Sequence, residues 1–414
     1  MPTNNKVAGA LDRHSPKGDG CSSSRVGSAN ALVPELRFPE FSTGEDWQEQ
    51  KAGSLFANRT EKGVSKLPIY SVTMNDGMVR RSSLDRNFDD IASAGNKRVY
   101  KNDIAYNMMR MWQGAFGLAP ENCLVSPAYI VLSSQKTICT EFFGYLFKSR
   151  KYLQLFTSHS RGLTEDRLRL YYPDFAVIPL QFPSLPEQQK IADCLGSLDD
   201  LIAAHSRKLA ALQDHKKGLL QQLFPAEGET TPKLRFPPFA GEWTATTLVK
   251  ACQMKAGKFV RAAEINNSPK DALYPCYGGN GLRGYTKTYT HDGKYSLIGR
   301  QGALCGNVQL TSGRFHATEH AVVANPTKEV CSDWLFYALS FLNLNQFATG
   351  QAQPGLSVEV LERVSIAIPT NTKEQQKIAD CLSDLDALIA AQTKQIAALK
   401  AHKQGLMQQL YPCN

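Results

Sequence analysis

Residues 187–225 of this chain read EQQKIADCLGSLDDLIAAHSRKLAALQDHKKGLLQQLFP, and residues 374–412 read EQQKIADCLSDLDALIAAQTKQIAALKAHKQGLMQQLYP. The two copies stand a constant 187 residues apart, with 26 identities in 39 positions and no gap. Two copies are too few for a solenoid, which needs several stacked units. The pattern instead predicts a two-armed chain, in which each of two different globular segments is followed by one copy of a constant helix.

Both copies carry apolar residues at spacings that alternate between four and three, which is the 3.5-residue period of a coiled coil. A proline ends each copy, Pro225 in the first and Pro412 in the second, and we therefore predict helices over about 185–224 and about 372–411. The predicted apolar seam consists of Ile191, Leu195, Leu198, Ile202, Leu209, Leu212, Leu219 and Leu223 in the first copy and of Ile378, Leu382, Leu385, Ile389, Ile396, Leu399, Leu406 and Leu410 in the second.

Polar residues interrupt the seam at matched places, His205 and Lys216 in the first copy and Gln392 and Lys403 in the second. If the two seams pair, the helices must run antiparallel, because the first leads towards the second globular segment and the second starts from it. Each helix would be roughly 55 Å long and would hold the two segments at a fixed spacing. The polar residues either set the register of this pairing or lie at its solvent edge.

A shorter repeat opens each globular segment. LRFPEF at 36–41 returns as LRFPPF at 234–239, and a Gly-Glu pair and a tryptophan, Trp47 or Trp243, follow each copy. The predicted organisation is a disordered tail at 1–33, a first globular domain at 34–182, a first helix at 183–225, a linker and second globular domain at 226–371, and a second helix at 372–414.

The globular segments favour a mixed α+β fold with a pseudo-twofold internal repeat. Short β-rich runs occur at 128–132 and 320–324 among many Gly and Pro turns. A helix is predicted near the end of each segment, at about 140–156 and about 332–346.

The composition is that of a globular protein with a basic balance. The net charge of +9 favours an anionic partner, of which nucleic acid is the commonest. No apolar run approaches the length of a membrane span and no signal peptide is visible, so we expect a cytoplasmic protein without membrane contact. The ten cysteines include no C-x-x-C pair, so neither a zinc site nor a disulfide framework is expected.

Two unlike globular segments, each followed by a copy of an E-Q-Q-K-I-A helix, resemble the specificity subunit of a type I restriction-modification system. The resemblance runs from residue 34 onward. YNMMRMWQGAFG at 106–117 and VSPAY at 125–129 resemble one family of target recognition domain. YGGNGLRGY at 277–285 and IGRQG at 298–302 resemble another.

The resemblance implies a non-catalytic subunit in which each recognition domain reads one half of a split, asymmetric site on double-stranded DNA. It implies that the helices set the spacing between the halves and dock two modification subunits, which methylate adenine. Motor-nuclease (restriction) subunits would complete the complex. S-adenosylmethionine, ATP and Mg²⁺ are then expected only in these partner subunits, and no cofactor or metal in this chain.

DNA reading needs cations that neutralise phosphates and side chains that hydrogen-bond to base edges. Arg pairs with guanine, and Asn or Gln with adenine. The candidates in the first domain are Arg80, Arg81, Lys97, Arg98, Asn107, Arg110 and Gln113. Those in the second domain are Tyr277, Asn280, Arg283, Tyr285, Arg300 and Gln301.

Two other functions compete with this interpretation. The chain could be the reading part of a fused methyltransferase, or a coiled-coil scaffold that does not read DNA. HATEH at 316–320 matches the H-x-x-E-H pattern of zinc proteases, but that pattern needs a helix, whereas the residues that follow favour a strand. We therefore predict strand or loop side chains there and no catalytic residues in this chain.

Overall fold

A computed structural model describes residues 33–63, 66–84, 95–270, 272–302, 304–350 and 354–412. The predicted disordered tail, apart from Val33, lies outside the described residues. Contacts divide the chain into two compact units. The first contains the chain up to Leu195 together with the stretch from Gln404, and the second runs from Gly196 to Lys403.

Each half of the chain has ten strands among its described residues. In the first half they are β1 (Gln48–Lys51), β2 (Phe56–Asn58), β3 (Ile69–Thr73), β4 (Gly77–Arg80), β5 (Lys97–Val99), β6 (Ile104–Asn107), β7 (Phe116–Leu118), β8 (Cys123–Val125), β9 (Tyr129–Ser134) and β10 (Pro179–Phe182). In the second half they are β11 (Thr244–Thr247), β12 (Cys252–Ala256), β13 (Tyr274–Gly278), β14 (Gly281–Thr286), β15 (His291–Asp292), β16 (Tyr295–Gly299), β17 (Val308–Thr311), β18 (Arg314–Ala317), β19 (Ala321–Pro326) and β20 (Ser365–Ile368).

The two globular domains share one strand topology. Domain 1 has sheets of order β2-β9-β6-β7 and β4-β3-β8-β5, with a separate pair β1-β10. Domain 2 has β12-β19-β16-β17 and β14-β13-β18-β15, with a separate pair β11-β20. Each strand of domain 1 thus has its counterpart ten strands later, and even the parallel pair β3–β8 returns as the parallel pair β13–β18. Segments that are unlike in sequence therefore build the same scaffold.

The helices confirm the predicted α+β class. They are α1 (Ala52–Leu55), α2 (Arg81–Leu84), α3 (Thr140–Leu146), α4 (Arg150–His159), α5 (Tyr172–Ala176), α6 (Leu185–Leu223), α7 (Leu248–Ala251), α8 (Ser332–Phe341), α9 (Val358–Glu362) and α10 (Thr372–Leu410). The single helix predicted over 140–156 is divided, because Ser149 adopts extended backbone between α3 and α4. The one predicted over 332–346 ends at Phe341, since Asn343 takes a left-handed conformation.

The two sequence repeats bind each other within each domain. Arg37 of the first LRFP segment donates two hydrogen bonds to the Glu187 carboxylate, at 2.8 and 2.7 Å. Arg235 of the second makes the same bidentate pair with Glu374, at 2.7 and 2.9 Å. The two glutamate side chains are only 1% and 2% exposed. Such forked charge-assisted pairs are geometrically specific, and this accounts for the repetition of both motifs together.

The glutamine after each glutamate anchors the start of a second helix. Gln188 accepts the backbone N–H of Cys139, the N-cap of α3, and Gln375 accepts that of Cys331, the N-cap of α8. Both glutamines are buried and donate to carbonyls of the chain that leads into the long helix, Pro183 in one case and Pro369 in the other.

The end of the other long helix completes each domain. In the first unit, Leu36 donates its backbone N–H to Gln409, and Trp47 packs edge-on against Tyr411. In the second, Leu234 donates to Gln222, and Trp243 packs edge-on against Phe224. The aromatic rings that end α6 and α10 are therefore core residues of the domains.

Within the second unit α6 and α10 pair as an antiparallel coil, as the ion pairs between them require. Lys403 contacts Asp199 at 2.6 Å, and Lys216 contacts Asp386 at 2.5 Å. The seam residues Leu385 and Ile396 are buried there. Leu198, Ile202, Leu209, Leu212, Ile389 and Leu399 are half-buried. At the helix ends, Ile191 and Leu195 are buried in the domain 1 core, and Ile378 and Leu382 in the domain 2 core.

Candidate nucleic-acid interface

The candidate residues occupy matched places in the two domains. Arg80 ends β4 of the β3–β4 hairpin, and its counterpart hairpin β13–β14 carries Asn280 in the turn and Arg283 in β14. The segment after β6 carries Arg110 and Gln113, and the loop after β16 carries Arg300 and Gln301. Candidates from the two domains thus lie on the same hairpin and on the same following loop of one scaffold, and this is the arrangement expected of paired recognition domains.

In domain 2 these two loops form one surface. The chain at Gly299 approaches the hairpin turn so closely that a Cβ atom there would collide with the Gly279 carbonyl oxygen. The Arg300 N–H donates to the His320 carbonyl at 3.1 Å, and the Thr318 N–H donates to that of Tyr277 at 2.9 Å. The structure therefore brings the 277–285 hairpin, the 299–302 loop and the 318–320 loop together.

The side chains on this surface differ in exposure. Asn280, Arg283 and Gln301 are exposed, whereas Tyr277, Tyr285 and Arg300 are half-buried. The Arg300 Nε–H is buried without a hydrogen-bond partner among the described residues. The exposed amides and guanidinium have the donors and acceptors for base edges, and the two tyrosines support the hairpin from its flanks.

In domain 1 the segment after β6 is shaped by its own side chains. Asn107 accepts the Met109 N–H at 3.0 Å, and the Trp112 indole N–H donates to the Met109 carbonyl at 3.0 Å. Arg110 and Gln113 are exposed on this turn. Asn107 therefore positions the loop, while the polar side chains of Arg110 and Gln113 are exposed to solvent.

Arg80 lies at the surface beside an acid. Its guanidinium is 3.2 Å from Glu121, which also accepts the Tyr70 hydroxyl, and the carboxylate raises the pKa of Arg80. Arg81 opens α2 and is half-buried. To contact a phosphate, Arg80 would have to exchange its ion pair with Glu121.

Lys97 and Arg98 are engaged inside domain 1. Lys97 donates to the Tyr129 carbonyl at 2.7 Å, and burial lowers its pKa. Arg98 pairs with Glu61 at 3.2 Å and lies over the Tyr100 ring at 4.6 Å. These partners lie up to 37 residues away in the chain, and sequence reading could not foresee them.

Sequence reading missed a basic loop of domain 1. Arg161, Arg167 and Arg169 line a surface cavity of about 580 Å³ together with Tyr171. The loop is joined to the β6 segment, because the Leu170 N–H donates to the Met108 carbonyl at 2.9 Å. Three arginines within nine residues, in RGLTEDRLR at 161–169, are the signal that could have revealed it.

The HATEH segment does not have metal-site geometry. His316 lies in β18, while Glu319 and His320 lie in the following loop and contact each other at 3.1 Å. Both ring nitrogens of His316 bind within domain 2, Nδ1 to the Thr288 hydroxyl and Nε2 to the Lys258 carbonyl. Within the described part of the chain, no cluster of three His, Cys, Asp or Glu side chains could hold a metal ion.

Comparison with known proteins agrees with this geometry. The family described as type I restriction modification DNA specificity domain matches residues 44–214 and again residues 241–401. The chain is 46% identical over 143 residues to the EcoprrI specificity subunit of Escherichia coli, a match that spans 34% of this chain and 35% of that relative. It is 23% identical over 408 residues to the MjaVIII specificity subunit of Methanocaldococcus jannaschii, spanning 90% of this chain and 92% of the relative.

Solved structures share the fold. The crystal structure of a type I restriction-modification system S subunit from M. genitalium superposes with a TM-score of 0.64 at 15% identity, covering 92% of this chain and all of the other. Among the helices that the structure describes, none combines the length and apolarity needed to cross a bilayer. With the specificity-domain family matched over both halves, this chain belongs to the type I restriction-modification specificity subunits, with two target recognition domains on one repeated scaffold.

Proposed function

We propose that this chain reads a split, asymmetric site on double-stranded DNA, one half with each domain, for a type I methyltransferase and restriction complex. The observation that carries this proposal is the pairing of one scaffold with two sets of loop side chains. Identical loops would read identical halves, whereas NMMRMWQG at 107–114 in one domain corresponds to GRQG at 299–302 in the matched place of the other. Different side chains on the same loops favour different half-sites.

We place catalysis in partner subunits. S-adenosylmethionine, ATP and Mg²⁺ would bind there, and the chain itself would act as a non-catalytic adaptor in the cytoplasm, where the chromosome lies. Neither the fused methyltransferase nor the scaffold alternative is favoured by an observation of its own, since a scaffold gives the polar loops of both domains no role.

Methylation sequencing tests the reading function. The chain would be co-expressed with its modification subunits, and long reads would be searched for a new motif. We expect methylated adenines in both halves of one split motif with a fixed spacer. Replacement of residues 226–371 by another recognition domain should change one half only. A soluble complex that leaves no motif would contradict the proposal.

The coil offers matched docking places for two modification subunits. Leu201 on α6 is 42% exposed and Leu388 on α10 is 55% exposed, although both are large apolar side chains. They stand 187 residues apart and are therefore the same position of the repeat. One modification subunit on each would bury both leucines, and a repeated surface suits two copies of one partner.

Charge insertion tests this docking. Leu201→Lys and Leu388→Lys should each reduce the number of bound modification subunits from two to one, and the double variant should bind none, as measured by native mass spectrometry. Gln395→Lys is a matched control, because lysine already stands at its repeat equivalent, Lys208. If the double variant still bound two modification subunits, the docking places would lie elsewhere on the chain.

A further inference from the structure

An exposed aromatic ring stands beside the domain 2 surface, in the loop 257–261 that follows β12. Phe259 is 70% exposed, far more than the other phenylalanines of the described chain. A single exposed apolar side chain needs no explanation by itself. Phe259 differs because hydrogen bonds to neighbouring strands fix the backbone of its loop.

The backbone on the N-terminal side of Phe259 is fixed by contacts with β18 and β19. The Gly257 N–H donates to the Ala321 carbonyl at 2.9 Å, and the Lys258 N–H donates to the Ala317 carbonyl at 2.8 Å. A Cβ atom on Gly257 would collide with the carbonyl oxygens of Ala317 and Thr318. Only glycine permits this approach, and the loop is therefore held tightly against the strands.

A buried histidine of β18 binds the same loop through its side chain. His316 is 5% exposed, and its Nε2 lies 3.0 Å from the Lys258 carbonyl. A carbonyl only accepts, so Nε2 carries the proton, and Nδ1 accepts the Thr288 hydroxyl at 3.0 Å. This histidine of the HATEH segment thus has a positioning role.

Cations flank Phe259 in the sequence. Lys255, Lys258 and Arg261 are exposed, and Glu264 is the exposed acid of the next turn. Lys258 and Lys255 contribute to lowering the pKa of His291, after burial and His316. An exposed aromatic ring among cations is the combination that nucleic acid-binding surfaces use, with cations for phosphates and a ring for sugars or bases.

The loop lies at the same edge of domain 2 as the candidate hairpin. Ala317, which accepts the Lys258 N–H, is the register partner of Tyr277 in the β13–β18 pair. A DNA duplex that contacts the exposed Asn280 and Arg283 would therefore lie within reach of Phe259.

We propose that Phe259 is a DNA wedge, whose ring packs between base steps or on deoxyribose at one edge of the domain 2 half-site, while Lys258 and Arg261 bind the flanking phosphates. The proposal rests on the DNA-reading function proposed above. Inserted apolar side chains of this kind unstack a base step and bend the duplex. Because the loop is already fixed, little conformational entropy would be lost when DNA covers it.

The test uses the complex with the modification subunits and a duplex that carries its methylation motif. Phe259→Ala should weaken binding roughly 10-fold, as expected for the loss of one stacking contact, and should leave the salt dependence unchanged. Lys258→Gln combined with Arg261→Gln should instead reduce the slope of log affinity against log salt by about 2. Val249→Ala, at another exposed apolar position of domain 2, should change neither quantity.

A fluorescent base separates a wedge from simple adhesion. With 2-aminopurine placed in turn along the domain 2 half-site, one step should brighten on binding, and Phe259→Ala should abolish that signal while the thermal melting of the protein is unchanged. Equal affinity and equal fluorescence in the two proteins would overturn the wedge. If the Phe259→Ala complex lost its modification subunits, Phe259 would be a protein-docking residue, and this result would also overturn the wedge. A wild-type complex that binds no DNA would overturn the reading function as well.

Discussion

Gln392 donates its side-chain amide to the backbone carbonyl of His205 at 3.1 Å, and the two residues are the same position of the repeated helix, 187 residues apart. The ion pairs Lys403–Asp199 and Lys216–Asp386 are likewise repeat mates of each other. The coil therefore contains two equivalent ion pairs, one on either side of the His205–Gln392 pair. The two residues of that polar pair are equivalent to each other in the repeat. A local twofold relation between the helices passes through His205 and Gln392.

The polar pair should set register at the expense of stability. Gln392 is 5% exposed, and it also contacts the His205 Nδ1 atom. We expect His205→Leu alone to destabilise the chain by about 1 kcal/mol, because the buried Gln392 amide loses the imidazole and keeps only the backbone carbonyl of residue 205. The double variant with Gln392→Leu should be as stable as the wild type or more so, since apolar seam residues pack without desolvation. Urea unfolding of the four proteins measures the coupling. If the stability changes of the two single variants summed to that of the double variant, the pairing would be contradicted.

The heptad pattern predicted where the polar seam residues lie but not how they pair. Lys216 and Lys403 look alike in sequence, and only the antiparallel register shows that each meets an aspartate of the other helix. The helices themselves were predictable because their period is local. The pseudo-twofold repeat was predicted as well, but the strand order within each domain was not, because sheet pairing joins strands that are far apart in the chain.

The candidate DNA residues show the same limit. Arg110 and Gln113 lie exposed on their turn, where a motif reading expects them, and their role stays a prediction. Lys97 and Arg98 look equally suitable in sequence, yet Tyr129, Glu61 and Tyr100 engage them in the fold. A cation's partner is a tertiary property, and composition does not reveal it.

The buried pair between Arg37 and Glu187 should be essential to domain 1. Arg37→Ala would leave the Glu187 carboxylate buried without its partner, and we expect a loss of about 3–5 kcal/mol in the free energy of unfolding. Arg235→Ala should also destabilise domain 2, where Glu374 is equally buried but keeps a hydrogen bond from the Trp243 indole N–H. Replacement of both partners, Arg37→Met with Glu187→Met, should recover much of the loss. Calorimetry of each variant measures the effect, and a loss below about 1 kcal/mol would show that water reaches the carboxylate.

The basic loop of domain 1 should strengthen DNA binding without adding sequence information. Arg167→Gln combined with Arg169→Gln leaves Arg161 to hold Asp174, which it contacts at 2.6 Å. We expect weaker binding to all sequences and a salt slope smaller by about 2, because each phosphate contact contributes about 0.9 to that slope. Anisotropy titrations at several salt concentrations measure it. Lys51→Gln with Arg150→Gln, exposed cations elsewhere on domain 1, is the control. A variant with unchanged slope but altered motif would assign base reading to the loop instead.

Acid should destabilise domain 2 through His291. Burial, then His316, Lys258 and Lys255, lower the pKa of His291 below its usual 6.5 in the folded state. The unfolded chain then binds the proton more readily, so stability rises with pH in this range. The contribution is complete above about pH 6.5 and declines as the pH falls through the lower folded-state pKa. His291→Phe, which retains a ring to stack on Phe315, should flatten the profile of urea midpoints between pH 7.5 and 5. If the pH profiles of the wild type and His291→Phe ran parallel, another group would control the stability in acid.

Thiol reactivity should follow burial. Burial raises the pKa of Cys123 and Cys252 to about 12 and that of Cys139 to about 11, so almost no thiolate is present at neutral pH. The thiolate is the nucleophile, and these three residues should resist iodoacetamide in the native protein but react in urea. Cys194 and Cys331 are half-exposed and should be alkylated first. Peptide mapping by mass spectrometry gives the order. Early labelling of Cys139 would mean that the start of α3 opens in solution, and because Gln188 binds the Cys139 N–H, Gln188→Ala should increase that labelling.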